Sequence, residues 1–592
     1  MKTQNKFLVF CLVSFFTYCS QNKKTGDIVI VATTDFHASI DQAESFSSVI
    51  FSLREKFTDR MIHLDGGDLF QGSLEGNLSK GRAMITLYNL LKVDAVAVGN
   101  HELDYGPNVE GRVVVKSGED PIGAFRARTQ ESQFKWLSVN FIYDSPSKNN
   151  FYKNALDQKT IFPPHAVFQK AGNKVCVIGA TTPTTPQITR PFFVKGTRFE
   201  PLKPTVEAQA KFLREKEKCD FVILTAHAGL LCDKIKPGEF AGACTAGMRA
   251  GGASDNARCV GDKVGRKSDT IQCQNKGSKA EILKLLEELP PKTLDAVVAG
   301  HTHEQAQEII HGTPVIEAGS YAKVVGVLHL FKSNKKFYFE PFVEIPAHAD
   351  SPSVTKAMYP FREKAAKIKE KIVGVALEEL PKKHYEESAF GNFLADAIFW
   401  VVKKHYKVDA CLLNAGGIRA GLPSGPIHYG NLYKTLPFDN TLAVVKLTGF
   451  QLKDVLRIAS SGMHGLPAIS GLTFKRYDIV VGKEGSWDRD LNQDGIKDTW
   501  ERDLLFDFQD SSGKAIEDKK IYKLALPDFL VEGGDHQGVV INKIPKLQIQ
   551  YHEGIWLRDL VVEYLKSHPK INPQEFFNSK KPRINLVPAP TH

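Results

Sequence analysis

Five short polar clusters, each directly after a run of apolar and β-branched residues, constrain this chain more than any bulk property does. Asp35 and His37 follow the run Ile28–Ala32, and Gly66, Gly67 and Asp68 follow Met61–Leu64. Asn100, His101 and Asp104 follow Asp94–Val98, His227 follows Phe221–Thr225, and His301 and His303 follow Ala296–Ala299. Short apolar runs bounded by turn residues, with helical stretches between them, read as buried strands of an α/β fold. In open α/β sheets ligands bind in the crevice beyond the carboxyl ends of the strands, so the five clusters would meet in one place. They offer two Asp, one Asn and four His as potential metal ligands. Mixed oxygen and nitrogen donors without thiolates suit Zn, Mn, Fe or Co better than Ca or Mg. One such cluster alone is an ordinary surface turn; five in this order, each after an apolar run, are not.

The rest of the chain narrows the setting. Its 592 residues would on length alone suggest about four domains. A hydrophobic share of 42% and a charged share of 24% exclude a disordered or collagen-like chain. The net charge of +10 is spread without a Lys/Arg block, so a nucleic-acid polymer is not an expected partner. Residues 1–18 read as an export signal, with Lys2 and Lys6 ahead of the apolar run Phe7–Phe16. No stretch is long enough to span a bilayer. The signal stops at Cys19, followed by the polar run Ser20–Lys24; this resembles a bacterial lipoprotein signal, although Tyr18 stands where that class has a small residue. Simple secretion is the alternative. Residues 229–280 form a Gly/Ala-rich insertion with Cys232, Cys244, Cys259 and Cys273, which suggests two disulfides of undetermined pairing, with metal binding as the rival. Cys176 and Cys411 lie in apolar strands and are expected to be inert core residues; Cys219 lies just before a strand.

The ordered motifs Asp35-x-His37, Gly-Asp68, Gly-Asn100-His101-Glu-Leu-Asp104, His227 and Gly-His301-x-His303 resemble the calcineurin-like metallophosphoesterases, and within them the 5′-nucleotidase/UDP-sugar hydrolase family. The resemblance implies Asp35, His37, Asp68 and His303 around one metal, with Asp68 bridging to a second held by Asn100, His227 and His301. It assigns His101, oriented by Asp104, to the transferring phosphoryl group. Two divalent ions ~3.5–4 Å apart can supply a hydroxide at neutral pH and stabilise attacking and leaving oxygens. The expected architecture is α/β (α+β overall). It comprises a four-layer metallophosphoesterase sandwich over 26–346, a linker helix at 351–372, a C-terminal 5′-nucleotidase-type α/β domain over 374–587, and a loose Pro-rich tail after Leu586.

The resemblance continues into that second region through Asn414-Ala-Gly-Gly-Ile-Arg419, Pro437-Phe438-Asp-Asn440 and Phe529-Leu-Val-Glu-Gly-Gly-Asp535. It implies that Phe438 and Phe529 sandwich a nucleobase and that Asn414, Arg419, Asn440 and Asp535 contact the ligand. Stacking on aromatic rings is worth ~1–3 kcal/mol per base and is tolerant of base identity. Two departures weigh against AMP specifically: Glu386 and Glu387 would repel a phosphate, and His536-Gln537 replaces the family's Gly-aromatic pair. The expected reaction is therefore hydrolysis of nucleotide phosphomonoesters, with 2′,3′-cyclic nucleotides, UDP-sugars or a thiosulfonate as alternative substrates. A nucleotide-binding or adhesive lipoprotein without catalysis is the alternative from another class. Independently, an insertion at 488–502 places Asp490, Asn492, Asp494, Asp498 and Glu501 at calcium-loop positions 1, 3, 5, 9 and 12, with Gly495 at 6 and the Ile496 carbonyl at 7. A structural Ca²⁺ is expected there. The expected partners are a small nucleotide or related phosphoester and a membrane, reached through a lipid on Cys19. The chain is expected to be a monomer, exported to the periplasm, outer membrane or cell surface.

Overall fold

The computed structural model describes residues 27–109, 118–144, 151–230, 281–478, 489–495 and 497–589. The export segment with Cys19, the four insertion cysteines and Ile496 lie outside the described residues. No helix among the described residues is long and apolar enough to cross a membrane.

Two six-stranded sheets form the first half. One runs Lys336–Glu344, Val324–Phe331, Ile28–Thr33, Met61–Asp65, Ala95–Ala97, Lys135–Leu137 in spatial order, the last four parallel. The other runs Gln305–Ile310, Thr313–Ala318, Ala296–Ala299, Phe221–His227, Asn173–Thr181, His165–Lys170, with its four inner strands parallel. Strand period 2 explains the layering. Ile28, Ile30 and Ala32 face the second sheet and share a core with Val175, Val177, Phe221 and Ile223. Val29 and Val31 face the other way, onto Phe46, Ile50 and Phe57 of the helix Ala43–Phe57 and onto Met84, Leu87 and Leu91 of the helix Arg82–Leu91. The helices Leu202–Glu215 and Glu281–Glu288 cover the far face of the second sheet. The result is the expected helix–sheet–sheet–helix sandwich, with both parallel sets ending on the same crevice.

The helix Pro352–Lys369 lies along this sandwich rather than standing free of it. Val354 and Met358 enter its core, Arg362 grips Glu44, and Lys369 bonds to Asp41 and Glu75. Beyond it, a five-stranded sheet takes the order Ala468–Ser470, Ala410–Leu413, Ile521–Pro527, Thr441–Thr448, Ile549–Trp556. The helices Ala389–Tyr406 and Leu557–Ser567 cover one face and the helix Gly449–Ala459 the other. Ala410–Leu413 runs parallel to Ile521–Pro527, and Thr441–Thr448 runs antiparallel to it. The ends leading to Asn414 and Phe529, and the start just after Asn440, therefore lie on one sheet edge.

Two sequence expectations need correction. Cys176 is not an inert core thiol: it is disulfide-bonded to Cys219, with a Cα–Cα distance of 5.9 Å. Pairing of Asn173–Thr181 with Phe221–His227 brings the second cysteine, just ahead of its strand, beside the first. The loop closed is 43 residues, worth about 4 kcal/mol in the chain-entropy account. Cys176→Ala is expected to lower stability by that order, read as a lower denaturant midpoint. The tail is also not loose after Leu586, because the strand Ile584–Pro588 pairs in parallel with Leu472–Asp478 through Pro588. Cys411 is buried and free, as expected.

Candidate active site

The ligand-type residues of the first half sit on abrupt turns. Asp35, His37, Asp68, His301 and His303 all have positive φ, from 48° to 80°, a conformation that non-glycine residues adopt where surrounding structure enforces it. Gly67, at φ 96°, has no such freedom to change, because a Cβ there would meet the Ala97 carbonyl at 2.8 Å. Beneath the turn lies a buttress built on Glu102, the residue that follows His101 in its motif. The buried carboxylate of Glu102 accepts backbone N–H groups from Asp68, Leu69, Phe70 and Gly99 at 2.6–3.2 Å. Burial, with Asp68 adding, pushes this carboxyl up to about 8, and those N–H donors work against the shift.

Three groups of potential ligand atoms lie within 4.8 Å of one another: Asp35, His37 and His303; His37, Asp68 and His101; Asp68, His227 and His301. Their hydrogen-bond chemistry suits cations. His227 Nδ1 donates to the Gly66 carbonyl at 2.9 Å, which leaves its Nε2 lone pair facing Asn100 Oδ1 at 3.0 Å and Asp68 Oδ2 at 3.1 Å. His37 Nδ1 donates to the Gln71 carbonyl at 3.2 Å, leaving its Nε2 3.0 Å from His303 Nε2. Asp35 Oδ1 is buried with no hydrogen bond and faces His303 Nε2 at 3.3 Å. Acceptor atoms crowded this closely repel unless positive charge lies among them. Without it, the burial that would discharge His227 is overcome by Asp68, and its pKa rises to about 10. Burial and the neighbouring His227 depress His301 to about 3. Asp68 Oδ2 lies between the His227 side and the His37 side, at 3.1 and 4.0 Å, so one carboxylate serves both halves of the cluster. The residues fit divalent metal ions.

His101 stands at the mouth of this cluster. Its Nδ1 is 2.5 Å from Asp104 Oδ2, which fixes the proton there and turns Nε2 toward the cluster, 3.9 Å from Asp68 Oδ2. Its backbone N–H donates to Asp68 Oδ1 at 2.9 Å. Against the effect of burial, Asp68 and Asp104 hold the imidazole above its ordinary pKa.

The second half closes over the same space. A cavity of about 850 Å³ is lined by Asp68, Asn100, His101, His301 and His303 from the first half and by Asn414, Arg419, Phe438, Asn440, Phe529 and Asp535 from the second. The Phe438 ring lies 5.5 Å from that of His101 and 5.9 Å from the Arg419 guanidinium, and Asn414 Nδ2 donates to Asp535 Oδ2 at 2.8 Å. Glu386 and Glu387, expected to repel a phosphate, are not on the cavity wall. Glu386 pairs with Lys383 at 2.7 Å, and Glu387 accepts from Asn392 and from the Ile584 N–H at 2.7 and 2.8 Å. Lys382 lines the wall instead, its pKa brought down to about 8 by burial and then by Arg419. The Phe438 loop is held from both halves: Asn77 donates to the Pro437 carbonyl at 2.8 Å, and Arg558 bonds to the Phe438 carbonyl and Asp439 at 3.1 and 2.5 Å. Lys382, Asn77 and Arg558 carried no local sequence signal, and the contacts Asn77 and Arg558 make with the Phe438 loop span more than a hundred residues.

The described part of the insertion, 489–495 and 497–502, folds on itself. Asp490 and Asn492 accept N–H groups of Asp494 and Gly495, and buried Glu501 accepts those of Leu491, Asn492 and Asp498, all at 2.8–3.1 Å. Its Trp500 stacks at 4.5 Å on His536, a residue of the cavity wall.

Comparison with known proteins agrees with this geometry. A family model for calcineurin-like phosphoesterases matches residues 28–305, and one for the 5′-nucleotidase C-terminal domain matches residues 365–540. The trifunctional nucleotide phosphoesterase protein YfkN of Bacillus subtilis is 26% identical over 480 residues, 76% of this chain but only 29% of that much longer one. Protein UshA of Yersinia enterocolitica is 22% identical over 613 residues, covering 94% of each chain. The 5′-nucleotidase precursor of Thermus thermophilus shares the fold, with a TM-score of 0.70 at 20% identity over 95% of this chain and 100% of its own. With the strand-end cluster in the first matched range and the aromatic wall in the second, the chain belongs to the calcineurin-like phosphoesterases that carry a 5′-nucleotidase C-terminal domain, and is a metal-dependent phosphoester hydrolase.

Proposed function

We propose that this protein releases phosphate from nucleotides by cleaving the 5′-phosphomonoester, with Asp35, His37, Asp68 and His303 holding one metal and Asp68, Asn100, His227 and His301 a second. The observation that carries the reading is that one cavity has the His/Asp cluster on one wall and Phe438, Phe529 and Arg419 on another. YfkN is named a nucleotide phosphoesterase, which agrees with it. Zn, Mn, Fe or Co suit the donor set. Such ions, when bound, activate water and neutralise charge on the phosphoryl oxygens. The chain's own residues do the rest. Phe438 and Phe529 hold the base, Arg419 offers its planar fork to anionic groups, and Lys382 adds a second cation. His101 presents the proton on Nε2 to the leaving oxygen, with Asp104 holding the ring by Nδ1.

Incubation with Mn²⁺ or Co²⁺ and a panel of 5′-mononucleotides, 2′,3′-cyclic nucleotides and UDP-sugars tests this. Phosphate release from the 5′-mononucleotides, with little preference among bases, is expected; none from any of them sinks the reading. The Asp490–Glu501 loop is read as a structural calcium site, supported by its ligand spacing and by Gly495 at φ 84°. Calorimetric titration with calcium is expected to give a binding heat that Asp494→Ala loses; identical traces count against it. Export and lipid anchoring at Cys19 are supported by the N-terminal sequence, and export also by the Cys176–Cys219 bond, since disulfides belong to oxidising compartments. Cys19→Ala is expected to move the protein from the membrane fraction to the soluble one.

A further inference from the structure

Three consecutive residues between the two halves hold both at once. Ile188, Thr189 and Arg190 leave the short helix Thr185–Ile188, and each makes a different contact. The Ile188 carbonyl accepts from Asn100 Nδ2 at 3.5 Å, which turns Asn100 Oδ1 toward His227. The Thr189 hydroxyl, 1% exposed, donates to Asp104 Oδ1 at 2.9 Å, while the other oxygen of that carboxylate holds His101. Arg190, 8% exposed, reaches into the second half. It donates to the Asp439 carbonyl at 2.8 Å, lies 3.5 Å from Asn440 Oδ1, and pairs with Asp528 at 3.2 Å. Asp528 in turn accepts from Thr441 at 2.7 Å and from the Phe529 N–H at 2.9 Å. The guanidinium thus ties together the loop that carries Phe438 and the turn that carries Phe529.

We propose that Thr189 and Arg190 are positioning residues that join the aromatic clamp to the proton-transfer pair. Thr189 completes a Thr189–Asp104–His101 relay, and Arg190 fixes the two aromatic loops at the distance set by that relay. The proposal rests on the nucleotide reading above for the role of the clamp, and on the His101–Asp104 pair for the chemistry. A carboxylate with one oxygen on an imidazole can still swing about its own bond; a second donor on the other oxygen removes that freedom. A buried Arg pairing across two elements through a planar fork fixes their relative placement in a way that Lys cannot.

The test is steady-state kinetics of the full chain with Mn²⁺ on two esters: AMP, and p-nitrophenyl phosphate, which has no ribose or base to be clamped. Metal content and thermal unfolding accompany every variant. Thr189→Val is expected to lower kcat by roughly 10-fold or more on both esters at nearly constant KM, with Thr189→Ser restoring most of it. Arg190→Met is expected to raise KM for AMP by roughly 10-fold or more, and to affect p-nitrophenyl phosphate far less. Asp528→Asn should reproduce that split, and it replaces Arg190→Met if the latter fails to fold. Wild-type kcat in Thr189→Val, or a serine variant as slow as the valine one, overturns the relay. Equal losses on both esters in the Arg190 and Asp528 variants overturn the joint. A wild-type enzyme that cleaves p-nitrophenyl phosphate but not AMP would instead fell the nucleotide reading and Arg190's part with it. The Thr189 comparison would still be decided on the small ester.

Discussion

His101→Ala is expected to lower kcat by about 10²–10⁴-fold, the range for a general acid–base group, while the protein retains its full metal content. The separation of the two effects follows from which atoms of His101 do what. The side chain bonds to Asp104 at 2.5 Å through Nδ1 and turns Nε2 to the cavity; it is the backbone N–H, kept in alanine, that supports Asp68 Oδ1 at 2.9 Å. Removing the imidazole therefore leaves the Asp68 carboxylate with its donor. His101 also lies within ligand range of His37 and Asp68, so the opposite outcome is physically meaningful. Metal measured by plasma mass spectrometry decides it. If metal falls together with kcat, His101 is a ligand and the proton-transfer assignment is wrong. Asp104→Asn makes a second point on the same line: it keeps the shape but offers an amide where a carboxylate stabilised the imidazolium, so a smaller loss in kcat is expected, again at constant metal.

The strand-end residues were legible because their signal is local. An apolar run, a glycine and a polar residue within ten positions fix both the strand and the side chain projecting from its end. Parallel pairing, such as Val29 with Met61 and Leu64 with Ala95, then brings separate ends together without further information. The aromatic loops were legible for the same reason, each being a short motif at an edge of one sheet. What was hidden is everything whose meaning depends on a partner far along the chain. Arg190 meets Asp528 across 338 residues, and Asn77 meets Pro437 across 360. Glu386 and Glu387 show the converse error. As sequence they are two charges beside a substrate motif; in the fold, Lys383, Asn392 and the Ile584 N–H turn them away from the wall. The disulfide was hidden in the same way: cysteine density points to the insertion, whereas Cys176 and Cys219 are brought side by side by strand pairing alone.

Asp68→Ala is expected to remove metal and activity together, with kcat down by about 10³-fold or more, since the ions supply several kcal/mol and each 1.36 kcal/mol is tenfold. Its Oδ2 lies 3.1 Å from His227 Nε2 and 4.0 Å from His37 Nε2, so no other single side chain among the described residues touches both halves of the cluster in the same way. Stability adds a readout that activity cannot. A ligand present at ~100 times its Kd stabilises by ~2.7 kcal/mol, and for domains of this size each kcal/mol moves Tm by ~2–4 °C. Chelation should therefore lower the wild-type Tm by roughly 5–10 °C, and Asp68→Ala should show no such drop. The two metal-free proteins should differ little. In the stripped wild type, Asp68 pairs with protonated His227 at 3.1 Å; alanine removes that pair and lets buried His227 shed its proton, so the cost of burying two charges goes together with their attraction. A metal-free variant that unfolds well below the metal-free wild type would make Asp68 a structural residue first. Two ions still bound in Asp68→Ala would remove the bridge on which the two-metal assignment depends.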